Sequence, residues 1–181
     1  MKPLQERHEA DPGEKAMAIH FVADLQFDGG ERTRHAHPHG FADTAERTRR
    51  ICETWRARVA PEDSVWILGN VGNAVHLAGL PGSKHLVRAA GDPPAWNCLA
   101  TRRYASVCEM RRLDTEHGLV TLLAHPGAAG EEERMVLHGR ARGDWRRRGF
   151  VCVTVAELGW GPVSLDQIMS QAAGDALRDA A

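Results

Sequence analysis

The sequence is poor in lysine. Lys2, Lys15 and Lys84 are its only lysines, so arginine carries nearly all the positive charge. With the frequent alanine, this bias reflects coding-sequence composition more than function. The chain also lacks a charge excess, with a formal net charge of -1. That removes any bulk electrostatic argument for nucleic acid or an anionic membrane surface. No apolar run approaches a membrane span, and the opening stretch MKPLQERHEADPGEK has no signal-peptide core. The expectation is a cytoplasmic protein without membrane contact. Of the four cysteines, Cys52, Cys98, Cys108 and Cys152, no two form a C-x-x-C pair. A zinc knuckle and a dithiol redox motif are thereby excluded, and the thiols read as reduced, partly buried small residues.

What is present fits one globular domain: 181 residues, 43% hydrophobic and 26% charged. Residues 1–16 are polar, without apolar period, and read as a mobile tail; 17–170 read as the domain and 171–181 as a C-terminal tail. Strands are expected over 18–23, 64–68, 85–89, 104–111, 118–124 and 135–138, with an alternating stretch over 150–155. Asp43 or Thr44 is placed to cap a helix whose apolar or small residues recur at Ala45, Thr48, Ile51, Cys52, Trp55 and Val59. A last short helix is expected from Ser164 through Met169. Strands interleaved with helices predict an α/β fold of two packed sheets flanked by helices.

Several strands end in a polar residue beside Gly or Pro: Asp24, Asn70, Asp92, His125 and the 138–142 stretch. In α/β folds functional groups gather at the carboxyl ends of strands. The order of these segments carries a resemblance. Asp24-Leu25-Gln26-Phe27 is followed by Trp55-Arg56-Ala57-Arg58-Val59 and Asp63-Ser64-Val65-Trp66-Ile67-Leu68-Gly69-Asn70. Then come Lys84-His85-Leu86-Val87-Arg88-Ala89-Ala90-Gly91-Asp92, His125-Pro126, His138-Gly139-Arg140-Ala141-Arg142 and Pro162-Val163-Ser164-Leu165-Asp166-Gln167-Ile168. Over about residues 18–170 the chain resembles the calcineurin-like metallophosphoesterases, in their short bacterial and phage phosphodiesterase-like branch. The resemblance implies a four-layer α/β fold, a two-sheet β-sandwich flanked by helices.

The resemblance also implies chemistry, and here the residues depart from it. The family's mechanism rests on two metal ions about 4 Å apart that hold a phosphoryl group and generate hydroxide. Asp24 keeps the first carboxylate, Asp92 its motif's last acid and His125 one imidazole. Gln26 stands where the resemblance implies a ligand His, and Asn70 where it implies the bridging Asp. Ala90 replaces a ligand Asn, Gly91 the His that protonates the leaving group, and Arg140 and Arg142 two ligand His. Arginine stays protonated and has no lone pair for a metal. Two guanidinium groups would repel two dications in a partly buried site.

The expectation is a vestigial pocket of Asp24, Gln26, Asn70, Ala90, Gly91, Asp92, His125, Arg140 and Arg142, with no catalytic residue and no cofactor. Arg140 and Arg142 pair there with Asp24 and Asp92, or else hold a phosphate or nucleotide in bidentate fashion. The chain reads first as a catalytically inactive homologue, a pseudoenzyme that binds a protein partner or a phosphate-containing ligand. The alternative is a phosphate-ester hydrolase using a single divalent ion (Mn, Zn or Fe) on Asp24, Asn70 and His125. Nucleic acid is not an expected partner, since Arg146, Arg147 and Arg148 beside Trp145 form a small basic footprint. Self-association stays open. His35, His37 and His39 read as a solvated loop, as does the acidic run Glu131, Glu132 and Glu133.

Overall fold

A computed structural model of the chain describes residues 17–29, 40–139 and 148–178, with side chains to residue 171. Among them the elements run β1 (Ile19–Val22), α1 (Thr44–Arg58), β2 (Ser64–Leu68), β3 (Ser83–Val87), α2 (Ala95–Ala100), β4 (Ser106–Cys108) and β5 (Met110–Thr115). They continue with β6 (Gly118–Leu123), β7 (Val136–His138), β8 (Phe150–Cys152), β9 (Val163–Ser164) and α3 (Leu165–Arg178). The fold is α/β, with a five-stranded sheet in the order β4-β3-β2-β1-β9 and a four-stranded sheet in the order β5-β6-β7-β8. In the first sheet β1 to β4 are parallel and β9 is antiparallel to β1. In the second, β5 and β6 form an antiparallel hairpin, while β6, β7 and β8 are parallel.

Strand alternation divides the core in two. Val22, Val65, Ile67 and Leu86 turn to one face of the first sheet and pack with Ile51, Cys52 and Trp55 of α1. Phe21, Ala23, Trp66, Leu68 and Val87 turn to the other face. There they meet Val120, Leu122, Leu137 and Val153 from the second sheet, and Leu165 and Ile168 of α3. This period of two along each strand is what a sheet buried on both faces requires. α1 starts as expected: Asp43 accepts the Glu46 amide at 2.7 Å, and Glu46 returns a carboxylate to the Ala42 amide at 2.6 Å. Trp55, fully buried, donates its indole N–H to the Pro81 carbonyl at 3.0 Å. Below the sheet, buried Asp63 accepts the amides of Ala18 and Ala60 and a bond from His20, which locks β1 to the start of β2.

Three expectations are corrected. Residues 104–111 are not one strand: β4 ends in the first sheet, and after Glu109 the chain enters the second as β5. The apolar pattern runs on through Glu109 because the chain passes from one buried sheet to the other. The last helix does not stop at Met169 but continues to Arg178, since Gln171, Ala172, Ala173 and Leu177 are good helix formers and a lone Gly174 costs only about 1 kcal/mol. Glu133 is buried under the second sheet, where Arg112 and Thr121 hold its carboxylate. Those hydrogen bonds, Thr121 first, keep its pKa below the usual 4.5.

Candidate functional site at the carboxyl ends of the strands

The ends of β2, β3, β6 and β7 meet above the sheets. Gly69, with φ 75°, closes β2 so tightly that a Cβ there would lie 2.6 Å from the Ala89 Cβ and 2.9 Å from the Ala124 Cβ. Gly139 follows β7, and a Cβ on it would sit 2.7 Å from the Leu68 carbonyl oxygen and 2.8 Å from that of Ala124. Ala23, after β1, joins the same corner by donating to the Val153 carbonyl and accepting from the Val155 amide. Small residues thus let both sheets pinch together at the strand ends, which brings the loops carrying Asp24, Asn70, Ala90–Asp92 and His125 to one edge.

Backbone strain marks the same edge. Asp24, Gln26, Asp28 and Asn70 all have positive φ, between 43° and 56°, a region that costs an ordinary side chain roughly 1 kcal/mol or more. Asp24 is buried, and the Asn70 side-chain amide donates to its Oδ1 at 2.6 Å. A carboxylate has only acceptors, so Asn70 must present its NH2 there and turn its carbonyl oxygen away. That oxygen lies 3.7 Å from where a Cβ on Gly91 would stand. Asp92 has both oxygens engaged: its carboxylate accepts the amides of Ala89 at 2.9 Å and of Asn70 and Val71 at 3.0 Å each. It is a clamp on two loops. Ala90 and Gly91 add no side-chain donor.

His125 is exposed and caps a short 3-10 turn at Pro126–Ala128 by accepting the Gly127 amide on Nδ1 at 3.1 Å. A neutral ring with Nδ1 used this way keeps its proton on Nε2 and has no lone pair left for a cation. Among the described residues, one group offers three His, Cys, Asp or Glu ligand atoms within 4.8 Å of one another: Glu116, His117 and Asp166. It is exposed, at the β5–β6 turn and the start of α3, and contains neither Asp24 nor His125. The orientation of Asn70 and the tautomer of His125 therefore do not suit a divalent cation on Asp24, Asn70 and His125. Arg140, Arg142, His35, His37 and His39 lie outside the described residues.

Two site residues had no role assigned from the sequence, although His138 stood within the 138–142 strand end. His138 ends β7, is buried, and donates Nδ1–H to the Gly139 carbonyl at 2.6 Å. Burial lowers its pKa, so the ring stays neutral with its lone pair on Nε2. Cys152 of β8 is its register neighbour, and burial pushes that thiol up, which keeps it protonated. The other is Arg47. Its guanidinium donates to the carbonyls of Asp24 at 3.2 Å, Leu25 at 2.8 Å and Gln26 at 3.3 Å, and lies 5.6 Å from the centre of the Trp160 ring. Phe41 packs edge-on against that ring. Arg47 therefore holds the strained loop that carries Asp24. A signal was available, because Arg47 falls on the apolar stripe of α1, four residues before Ile51 and eight before Trp55. Next to this loop, Asp28 accepts from Asn73 and His76, which tie it to the segment after β2 and hold its carboxyl below the usual range, His76 first.

No protein-family model matches the chain, and no curated protein matches it. Its structure is similar to the crystal structure of AQ665, a protein of unknown function from Aquifex aeolicus, with a TM-score of 0.68. The two are 16% identical, and the match covers 86% of this chain and 99% of that one. At that identity the likeness establishes the fold alone. Among the described residues no helix is long and apolar enough to cross a membrane.

Proposed function

We propose that this chain is a degenerate metallophosphoesterase homologue, a four-layer α/β fold that has lost catalysis and acts as a binding or scaffold protein. The reading rests on the Asn70 amide donating to Asp24 at 2.6 Å. In a binuclear phosphoesterase two anionic ligands share a dication at this point. Here a neutral amide neutralises nothing, and its hydrogen bond occupies one oxygen, Oδ1, of the remaining carboxylate from within the protein. The capping role of His125 and the backbone clamp of Asp92 support the same conclusion, since both groups serve the fold. In the sequence Ala90 and Gly91 offer no side chain to bind a metal or protonate a leaving group, and the arginines at 140 and 142 add positive charge suited to a phosphate-bearing ligand.

The test is hydrolysis of bis-p-nitrophenyl phosphate and p-nitrophenyl phosphate by the full chain with millimolar manganese. The expected result is no turnover above that of Asp24→Asn. Turnover that disappears in Asp24→Asn would instead support a hydrolase with a rearranged metal site.

A further inference from the structure

β5 is the edge strand of the four-stranded sheet, and no described element pairs with its outer side. The register fixes which of its groups face outward. Thr121 of β6 donates its amide to the Met135 carbonyl at 2.9 Å, on the β7 side. Its partner across the hairpin is Arg112, so Arg112 and Thr121 form a non-hydrogen-bonded pair of the antiparallel ladder. By alternation Arg111, Leu113 and Thr115 bond to β6, while Met110, Arg112 and Asp114 turn their N–H and C=O groups to the open edge. The side chains of Arg112 and Asp114 share the sheet's outer face.

We propose that β5 is a self-association edge, at which a second copy of this chain adds antiparallel about a two-fold axis through Leu113. Each Arg112 then lies directly opposite Asp114 of the other copy. The alternation dictates this register. An axis through Arg112 would set two arginines against each other. Moving it to Leu113 makes Arg112–Asp114 a hydrogen-bonded pair, formed twice, and each such pair exchanges two backbone bonds, about four in all. Opposite charges directly across strands stabilise pairing, and like charges oppose it.

The side chains permit the arrangement. Asp114 is exposed and makes no ion pair among the described residues. Arg112 already reaches Glu133, yet its side chain remains 45% exposed and a guanidinium has five donors. The exposed apolar side chains of Met110 and Leu119 flank the edge, and Leu119 is the hairpin partner of Asp114. Charged residues on an edge strand can equally serve to prevent pairing, and the following experiment separates the two roles.

Sedimentation velocity of the full chain between about 5 and 300 µM, a range suited to a small interface, should show the mass rising from 19.9 kDa toward twice that value. Added salt should weaken the association. Asp114→Arg should raise the dissociation constant at least about tenfold, by opposing arginines. Asp114→Pro removes one outward-facing N–H and leaves the bonds to β6 intact, as edge positions allow. It should be monomeric with an unchanged circular dichroism spectrum. Equimolar Arg112→Asp and Asp114→Arg chains should associate with each other and not with themselves. If Arg112→Asp unfolds for want of its Glu133 contact, the two Asp114 variants carry the test. A wild-type chain monomeric at the highest concentration, or Asp114 variants that associate like wild type, would overturn the proposal.

Discussion

Replacing Asn70 by Asp tests the site where its geometry is most constrained. The substitution sets a second carboxylate against Asp24, where an amide now donates at 2.6 Å. Two unit charges about 3 Å apart at an effective dielectric of about 20 repel by roughly 5 kcal/mol. A hydrogen bond to a charged group, worth about 1.5–3 kcal/mol, is lost as well. Rotation of one carboxylate and uptake of a shared proton relieve part of this, leaving an expected destabilisation of about 3–5 kcal/mol at pH 8. For a chain of this length that lowers the melting temperature by roughly 10 °C. The pH dependence follows from the sign of the shift. The carboxyl pair has a folded pKa raised above its unfolded value of about 3.9, so the variant's penalty is absent at acid pH and grows as pH rises through the raised pKa. Thermal unfolding at pH 5 and pH 8 should therefore show a larger gap from wild type at pH 8. Millimolar manganese should restore part of the variant's stability at pH 8, because a dication suits the carboxylate pair. It should leave wild type within about 1 °C. A variant as stable as wild type at pH 8 without metal would contradict this, since the Asn70 amide could not then be what holds the Oδ1 side of the buried carboxylate.

Arg47→Lys should destabilise the chain by about 1–3 kcal/mol in urea unfolding, because one ammonium cannot serve three carbonyls and a ring face together; an unchanged midpoint would show that the Asp24 loop holds itself. Glu133→Gln should flatten the acid arm of the stability curve. The folded pKa of Glu133 is depressed, so its contribution is present above about pH 4.5 and is lost as pH falls through the lower folded value. Wild type and variant should therefore differ most at neutral pH and converge toward pH 2, and parallel curves would contradict the buried contact with Arg112 and Thr121.

Much of the scaffold was readable in the sequence because the strands are short apolar runs that end in Gly beside a polar residue. Gly69 and Gly139 punctuate β2 and β7 where two sheets leave no room for a Cβ, so the breaks in pattern coincide with the edge where the loops converge. The passage from β4 to β5 was hidden, since Glu109 interrupts an otherwise continuous run without a turn residue to mark a change of sheet. Residue identity at the site was legible, but its use was not. Asp92 reads as an acid awaiting a ligand, and only the fold reveals three backbone amides already bound to it. Likewise Glu133 reads as one of three like acids, although its position opposite Thr121 and Arg112 draws it inside. These are contacts over sequence distance, which local pattern does not encode.

The most direct test of the proposal that this is a phosphoesterase scaffold without its catalyst is the metal content of the wild-type chain, measured by inductively coupled plasma mass spectrometry after loading with manganese and desalting. The expected content is less than about 0.1 ion per chain, because a group with its lone pair engaged or its NH2 turned inward does not retain a dication. A stoichiometry approaching two, the binuclear arrangement, would contradict it and would mean that the amide of Asn70 and the ring of His125 reorient to hold metal.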